Sequence, residues 1–217
     1  MGVAVMTMPG RRIEAVVMGG SAGGWEAVSL ILSKLPEDYP LPIAVVLHVH
    51  PDQGEDFAPR MGRTCRIAVR LAGDKDPVLP GVVTLAPPDY HLLIEWDKTF
   101  ALSADPKVCF SRPSIDVLFE SAASVYGPAL VGVLLTGASR DGSAGILRVK
   151  ELGGITVVQS PETADHPTMP RSAVETAFPE HVLALEEIAL FLQRLGEDAR
   201  NLADLTPLHI LPERNSQ

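Results

Sequence analysis

A doubly wound, mostly parallel α/β sheet with crossover helices and an inserted antiparallel hairpin is the fold this sequence predicts. Three observations carry that prediction. Short apolar runs alternate with segments of helical periodicity, the pattern of successive βαβ units. Some of these runs, such as Ile43-Ala44-Val45-Val46-Leu47, are apolar at every position, as in strands covered on both faces. The first run, residues 13–18, leads into Gly19-Gly20-Ser21-Ala22-Gly23-Gly24 and then a helical face of Val28, Ile31, Leu32 and Leu35. That reads as strand, tight turn, helix, with Ser21 at the carboxyl edge of a sheet.

The other elements follow in order. Residues 36–42 form a loop, and 43–47 a buried strand that ends at His48-Val49-His50-Pro51. Residues 52–62 are loop or short helix, and 66–71 a strand. Residues 82–86, 90–96 and 99–102 read as antiparallel hairpins, with Pro87-Pro88-Asp89 and Asp97-Lys98 as the breaks. In Arg112-Pro113-Ser114-Ile115-Asp116, Pro113 suits a first helical turn, where its missing N–H costs nothing. Ile115, Leu118, Phe119, Ala122 and Tyr126 then recur at helical spacing, and Gly127 ends the helix. A strand at 129–135 runs into Thr136-Gly137-Ala138-Ser139-Arg140-Asp141-Gly142. A helix at 143–152, a strand at 155–158, a polar loop at 159–168, a short helix from Met169-Pro170 and a helix at 186–195 complete the domain. Residues 1–12 are an N-terminal extension, 13–195 one domain, and 196–217 a polar, Pro-punctuated tail.

Composition narrows the class. The chain has 217 residues, 46% hydrophobic and 21% charged, enough for one domain with a sizeable core. A net charge of −9 argues against a nucleic-acid partner, and Arg60, Arg63, Arg66 and Arg70 read as a solvated surface. Cys65 and Cys109 have neither metal-ligand spacing nor a secreted disulfide pattern, and fit reduced thiols in a cytoplasm. The apolar N-terminus lacks the basic flank of a signal peptide, and no run is long enough to cross a bilayer.

Ser21, His48 and Asp141 each follow an apolar strand. Loops at the carboxyl ends of strands in such sheets converge on one crevice. A serine there needs a base to become nucleophilic, and an aspartate can hold the histidine's tautomer and stabilise its cation. The order Ser, His, Asp differs from that of the α/β-hydrolase fold. Other readings stand beside this one. His50 lies two positions along an extended chain from His48 and is an equal candidate by spacing. Asp141 before Gly142 is also a common turn or cap choice. The glycine loop could cradle phosphate with Ser21 as a donor, but no acidic ribose-binding residue stands at a clear strand end about 20 residues on. His91 and His166 read as surface residues without metal-ligand spacing.

Together these stretches resemble the catalytic domain of the chemotaxis protein-glutamate methylesterase family. The likeness rests on Gly20-Ser21-Ala22-Gly23-Gly24, His48, Pro80-Gly81 with Leu85-Ala86-Pro87, Tyr90-His91-Leu92, Arg112-Pro113-Ser114-Ile115-Asp116-Val117-Leu118-Phe119, Leu135-Thr136-Gly137 with Asp141-Gly142, and Met169-Pro170. The resemblance implies hydrolysis of glutamate methyl esters on the cytoplasmic helices of chemoreceptors, releasing methanol, with glutamine deamidation as a related activity. It implies Ser21 as nucleophile, His48 rather than His50 as base, and Asp141 as orienter. Ala22, Gly23, Arg112, Gly137 and Ala138 become the substrate and oxyanion contacts. The family often has methionine after Thr-Gly where Ala138 stands, and alanine still offers a backbone N–H. No cofactor or metal is implied. Other signalling proteins are further partners, and the location is cytoplasmic. The alternative is a non-catalytic receptor-binding module of the same fold. Only about a dozen residues precede the first strand, so no N-terminal receiver domain and no stimulation by phosphodonors are expected.

Overall fold

The computed structural model describes residues 11–48 and 57–204. Strands β1 (Ala15–Gly20), β2 (Ile43–Leu47), β7 (Leu130–Leu134) and β8 (Ile155–Gln159) are buried at every position. Strands β3 (Ala68–Leu71), β4 (Val82–Leu85) and β9 (His181–Leu183) complete a seven-stranded sheet of order β3-β4-β2-β1-β7-β8-β9. Every neighbouring pair in it is parallel. Largely apolar strands, with only Thr156 and Gln159 polar among these four, are what such a sheet needs, because helices cover both faces. On one face, α1 (Gly24–Lys34), α2 (Phe57–Gly62) and α6 (Leu185–Asp204) pack over Val16, Met18, Val45 and Val133. On the other, α3 (Ile115–Tyr126), α4 (Ser143–Glu151) and α5 (Thr168–Ala177) pack over Val17, Val46, Leu134 and Val158.

The antiparallel pair is β5 (His91–Ile94) with β6 (Phe100–Ser103), which packs on α3. The stretch at 82–86, expected in a hairpin, instead lies between β3 and β2 in the parallel sheet. Pro113 is not in the first turn of α3 but precedes its N-cap, Ser114. The last helix runs past Leu195 to Asp204, through residues expected to be tail.

The chain winds one way from β1 to β2 and returns to place β7 on the opposite side of β1. The carboxyl ends of β2, β1 and β7 therefore lie side by side at the topological switch point, where doubly wound sheets form their crevice. Gly19 near the end of β1 lets α3 come close: a Cβ there would meet Ile115 Cγ2 at 2.3 Å. Ile115 is fully buried and occupies that space, so the start of α3 is pressed against the end of β1.

Candidate active site

Ser21, His48 and Asp141 leave the ends of β1, β2 and β7, and their side chains form one chain of hydrogen bonds. His48 Nε2 is 2.7 Å from Asp141 Oδ2, and His48 Nδ1 is 3.2 Å from Ser21 Oγ. An ionised carboxylate only accepts, so Nε2 carries a proton towards Asp141, and in the neutral imidazole Nδ1 is then the acceptor that faces the serine. Ser111, not anticipated from the sequence, places its Oγ 3.4 Å from the same Nδ1. His50 falls outside the described residues.

The backbone sets Ser21. Its N–H donates to Thr136 O at 3.0 Å, which ties the turn after β1 to the loop after β7. Helix α1 starts immediately beyond, with Gly23 as an N-cap that has no side chain to cap it. Among the described residues, the N–H groups of Ala22, Gly23 and Ala138 make no hydrogen bond. Uncapped donors at a helix start favour developing negative charge beside Ser21. Gly137 is different. Its N–H already donates to His166 O at 3.0 Å, so it is not free to meet an oxyanion. What the site requires of Gly137 is space, since a Cβ there would sit 3.0 Å from Ser21 Cβ and 2.6 Å from Met169. A cleft of about 240 Å³ opens beside Ser21 and His48, lined also by Trp25, Glu26 and Arg60. The Arg60 guanidinium lies over the Trp25 ring at 5.4 Å.

Asp141 is fully buried and held on every side. It accepts from Ser114 Oγ at 2.8 Å, from the Ile115 N–H at 2.7 Å and from the Asp116 N–H at 3.1 Å. The last two are at the start of α3, whose N-cap Ser114 turns its hydroxyl to Asp141 instead of to its own helix. Burial works to raise the Asp141 pKa, but the bonds from His48, Ile115, Asp116 and Ser114 outweigh it and hold the carboxyl below its usual range. The site thus keeps a dry anion against His48 Nε2.

Asp116 shows the opposite balance. Burial pushes its carboxyl up to about 7, against donors from Gly145 and Gly142 and with the Asp141 charge adding to the rise. A carboxyl raised in the folded state contributes stability that is full below the unfolded value near 4 and is lost as pH rises through about 7. An amide cannot lose it that way. Between pH 5 and pH 8 the stability difference should move in favour of Asp116→Asn over wild type by about 1–3 kcal/mol. Urea unfolding at both pH values measures it, and a difference independent of pH refutes it.

Arg112 stands outside this chain of bonds. Its guanidinium donates to Asp89 Oδ1 from both Nε and Nη2, and from Nη1 to the carbonyls of Ala104 and Asp105. Four N–H···O contacts tie it to neighbouring loops, leaving one N–H for a substrate. His91, expected at the surface, is 1% exposed. Its Nδ1 accepts the Ser114 N–H and its Nε2 faces Pro106 O, so it fixes the segment before α3. The Cys109 thiol and the Asp116 and Asp141 carboxylates have ligand atoms within 4.8 Å of one another. Both carboxylates are already engaged by N–H donors, and the thiol is pushed up by burial and by the charges of Asp141 and Asp116, which opposes its acting as a thiolate ligand.

The residues that sequence reasoning missed are Ser111, Ser114, Asp116 and the buried His91. Ser114 and Asp116 stood in plain view in the Arg112–Asp116 motif, and an acidic residue on the apolar face at a helix start was the available signal. No described helix is long and apolar enough to cross a membrane.

Comparison with known proteins gives the following likenesses. The family model described as CheB methylesterase matches residues 16–192. A putative protein-glutamate methylesterase/protein-glutamine glutaminase of Leptospira interrogans is 46% identical over 185 residues, covering 85% of this chain and 96% of that protein. Protein-glutamate methylesterase/protein-glutamine glutaminase 1 of Anaeromyxobacter dehalogenans is 40% identical over 180 residues, 82% of this chain but 51% of its own length. The crystal structure of the Thermotoga maritima CheB methylesterase catalytic domain superposes with a TM-score of 0.81 at 33% identity, covering 84% of this chain and 98% of that one.

Proposed function

The chain belongs to the CheB methylesterase family, and on that premise we propose that it is a serine esterase that hydrolyses glutamate methyl esters on the cytoplasmic helices of chemoreceptors. The observation that carries this reading is the unbroken Ser21–His48–Asp141 chain of hydrogen bonds at the switch point of the sheet. Ser21 Oγ attacks the ester carbonyl while His48 Nδ1 takes its proton. Asp141 stabilises the imidazolium that forms. The N–H groups of Ala22, Gly23 and Ala138 receive the oxyanion. The C–OMe bond then breaks as Nδ1 returns the proton to the leaving oxygen, releasing methanol. Water, deprotonated by the same nitrogen, cleaves the acyl-serine to leave glutamate. Glutamine deamidation follows the same course with ammonia as the leaving group. Arg112 clamps the loops leading to Ser111 and so shapes the rim that a receptor helix meets.

The test is methanol release from a methyl-labelled receptor fragment, run beside labelling with a serine-reactive phosphonate. Release together with labelling at Ser21 is the expected result. Labelling without release points to an esterase with another substrate, and absence of both points to a non-catalytic module.

A further inference from the structure

Helices α3 and α4 cap each other. Helix α4 begins after Gly142, which has no side chain to cap with. Its missing acceptor comes from α3. Asp116 Oδ1 accepts the Gly142 N–H at 2.8 Å and the Gly145 N–H at 2.7 Å. In return Asp141, the residue before Gly142, accepts the Ile115 and Asp116 N–H groups that open α3. Each carboxylate therefore satisfies the donors of the other's helix, and both sit at the same buried junction, Asp116 at 7% exposure and Asp141 at none. The backbone of Asp141 itself is weakly held, with its N–H 3.3 Å from Ser139 Oγ. The peptide after it donates from Gly142 to Asp116, and the turn is closed besides by a longer bond, 3.2 Å, from the Ser143 N–H to Arg140 O.

We propose that Asp116 is a positioning residue for the catalytic relay: by capping the start of α4 it holds Asp141 against His48. This rests on the relay assigned above. Without the Asp116 acceptor, two N–H groups at the start of α4 lose their partner in a buried site, and that turn must move to find another. Asp141 is attached to it by one peptide bond, so its 2.7 Å contact with His48 Nε2 moves with the turn. The neutral form of Asp116 serves this purpose as well as the anion, because the oxygen that accepts both N–H groups is present in either. Burial and the neighbouring Asp141 raise its pKa, consistent with that neutral form.

The experiment compares Asp116→Ala and Asp116→Asn with wild type in two readouts. The first is the low-field proton resonance of His48 Nε2–H, read without substrate. The second is the pH profile of kcat and kcat/KM on a methyl ester. In Asp116→Ala the resonance should move upfield, and kcat should fall about 10²-fold, as expected when a distant change misplaces a catalytic group. kcat/KM should fall with it, since a displaced Asp141 no longer orients His48. Asp116→Asn keeps the acceptor oxygen and should restore both readouts, with kcat within about threefold of wild type. Should the alanine variant not fold, Asp116→Ser, too short to reach both N–H groups, takes its place with the same expectation. An unchanged resonance and kcat with only a lowered melting temperature overturns the proposal, as does an asparagine variant no better than alanine. Because the resonance needs no substrate, a wild-type protein that fails to hydrolyse the ester refutes the esterase reading and leaves the positioning test standing.

Discussion

Ser21→Ala will remove esterase activity by about 10⁴-fold or more while leaving the fold intact. The activity falls because no other group can take the nucleophile's place at the right point. Ser111 Oγ also faces His48 Nδ1, at 3.4 Å, but it comes from the loop before α3 and not from the turn that opens α1. It lacks the adjacent helix-start N–H groups that would meet an oxyanion. The fold survives because what places Ser21 is backbone. Its N–H bond to Thr136 O and the Gly24 N–H bond to Ser21 O, at 2.7 Å, do not involve the hydroxyl. Alanine keeps the Cβ and removes one oxygen from a part-buried residue, a change worth about 0.5 kcal/mol or less in stability. Methanol release and thermal unfolding of the purified variant measure the two halves of this expectation. Full hydrolysis by a well-folded Ser21→Ala protein would remove Ser21 from the mechanism.

The ease of finding Ser21 and His48 in the sequence has a physical reason. His48 ends a run that is apolar at every residue and Ser21 follows one broken only by Glu14, and a polar residue at such an end lies at the carboxyl edge of a sheet buried on both faces, although spacing left His50 level with His48. Adjacency of β2, β1 and β7 then follows from the reversal of winding about β1. The surroundings of Asp141 were not legible in that way. Its partners lie 25 to 27 residues away at the start of α3, and the cap is shared between helices, so no local pattern announces it. Residues 82–85 were misplaced because an apolar run shows that a strand is buried but not which strand it joins. Strand β9 was missed because three residues, all partly exposed, carry no usable period. The extension of α6 past Leu195 was missed for a third reason: Gly196 looks like a helix end, whereas its bare Cα lets α6 pack beside Tyr39, whose ring would lie 2.6 Å from a Cβ.

Asp141→Asn will cost about 10³- to 10⁴-fold in kcat, with a loss of stability that Ser21→Ala does not show. In wild type, Oδ2 meets His48 Nε2 and the Ile115 N–H, while Oδ1 meets Ser114 Oγ and the Asp116 N–H. All of these can be donors, and an asparagine offers one acceptor and one donor end. If its amide nitrogen takes the Oδ2 place, it opposes the Ile115 N–H and drives His48 to the tautomer with the proton on Nδ1, which cannot accept from Ser21. If the nitrogen takes the Oδ1 place, the tautomer survives but the nitrogen opposes the Asp116 N–H at 3.1 Å, and the negative charge that stabilised the imidazolium is gone in either case. Ser114 can relieve only its own contact, by turning its hydroxyl to accept. One buried backbone donor is therefore left opposed whichever way the amide points, which costs about 1–3 kcal/mol. Asp141→Ala should be worse for stability, since it strips the cap from α3 and leaves the Ile115 N–H, the Asp116 N–H and the Ser114 hydroxyl without their acceptor. Chemical unfolding should rank wild type above Asn and Asn above Ala. Steady-state kinetics should show the loss in kcat with KM little changed, because the charge acts on the transition state and not on the bound ester. An Asp141→Asn enzyme within tenfold of wild type would mean that His48 is oriented by something other than Asp141.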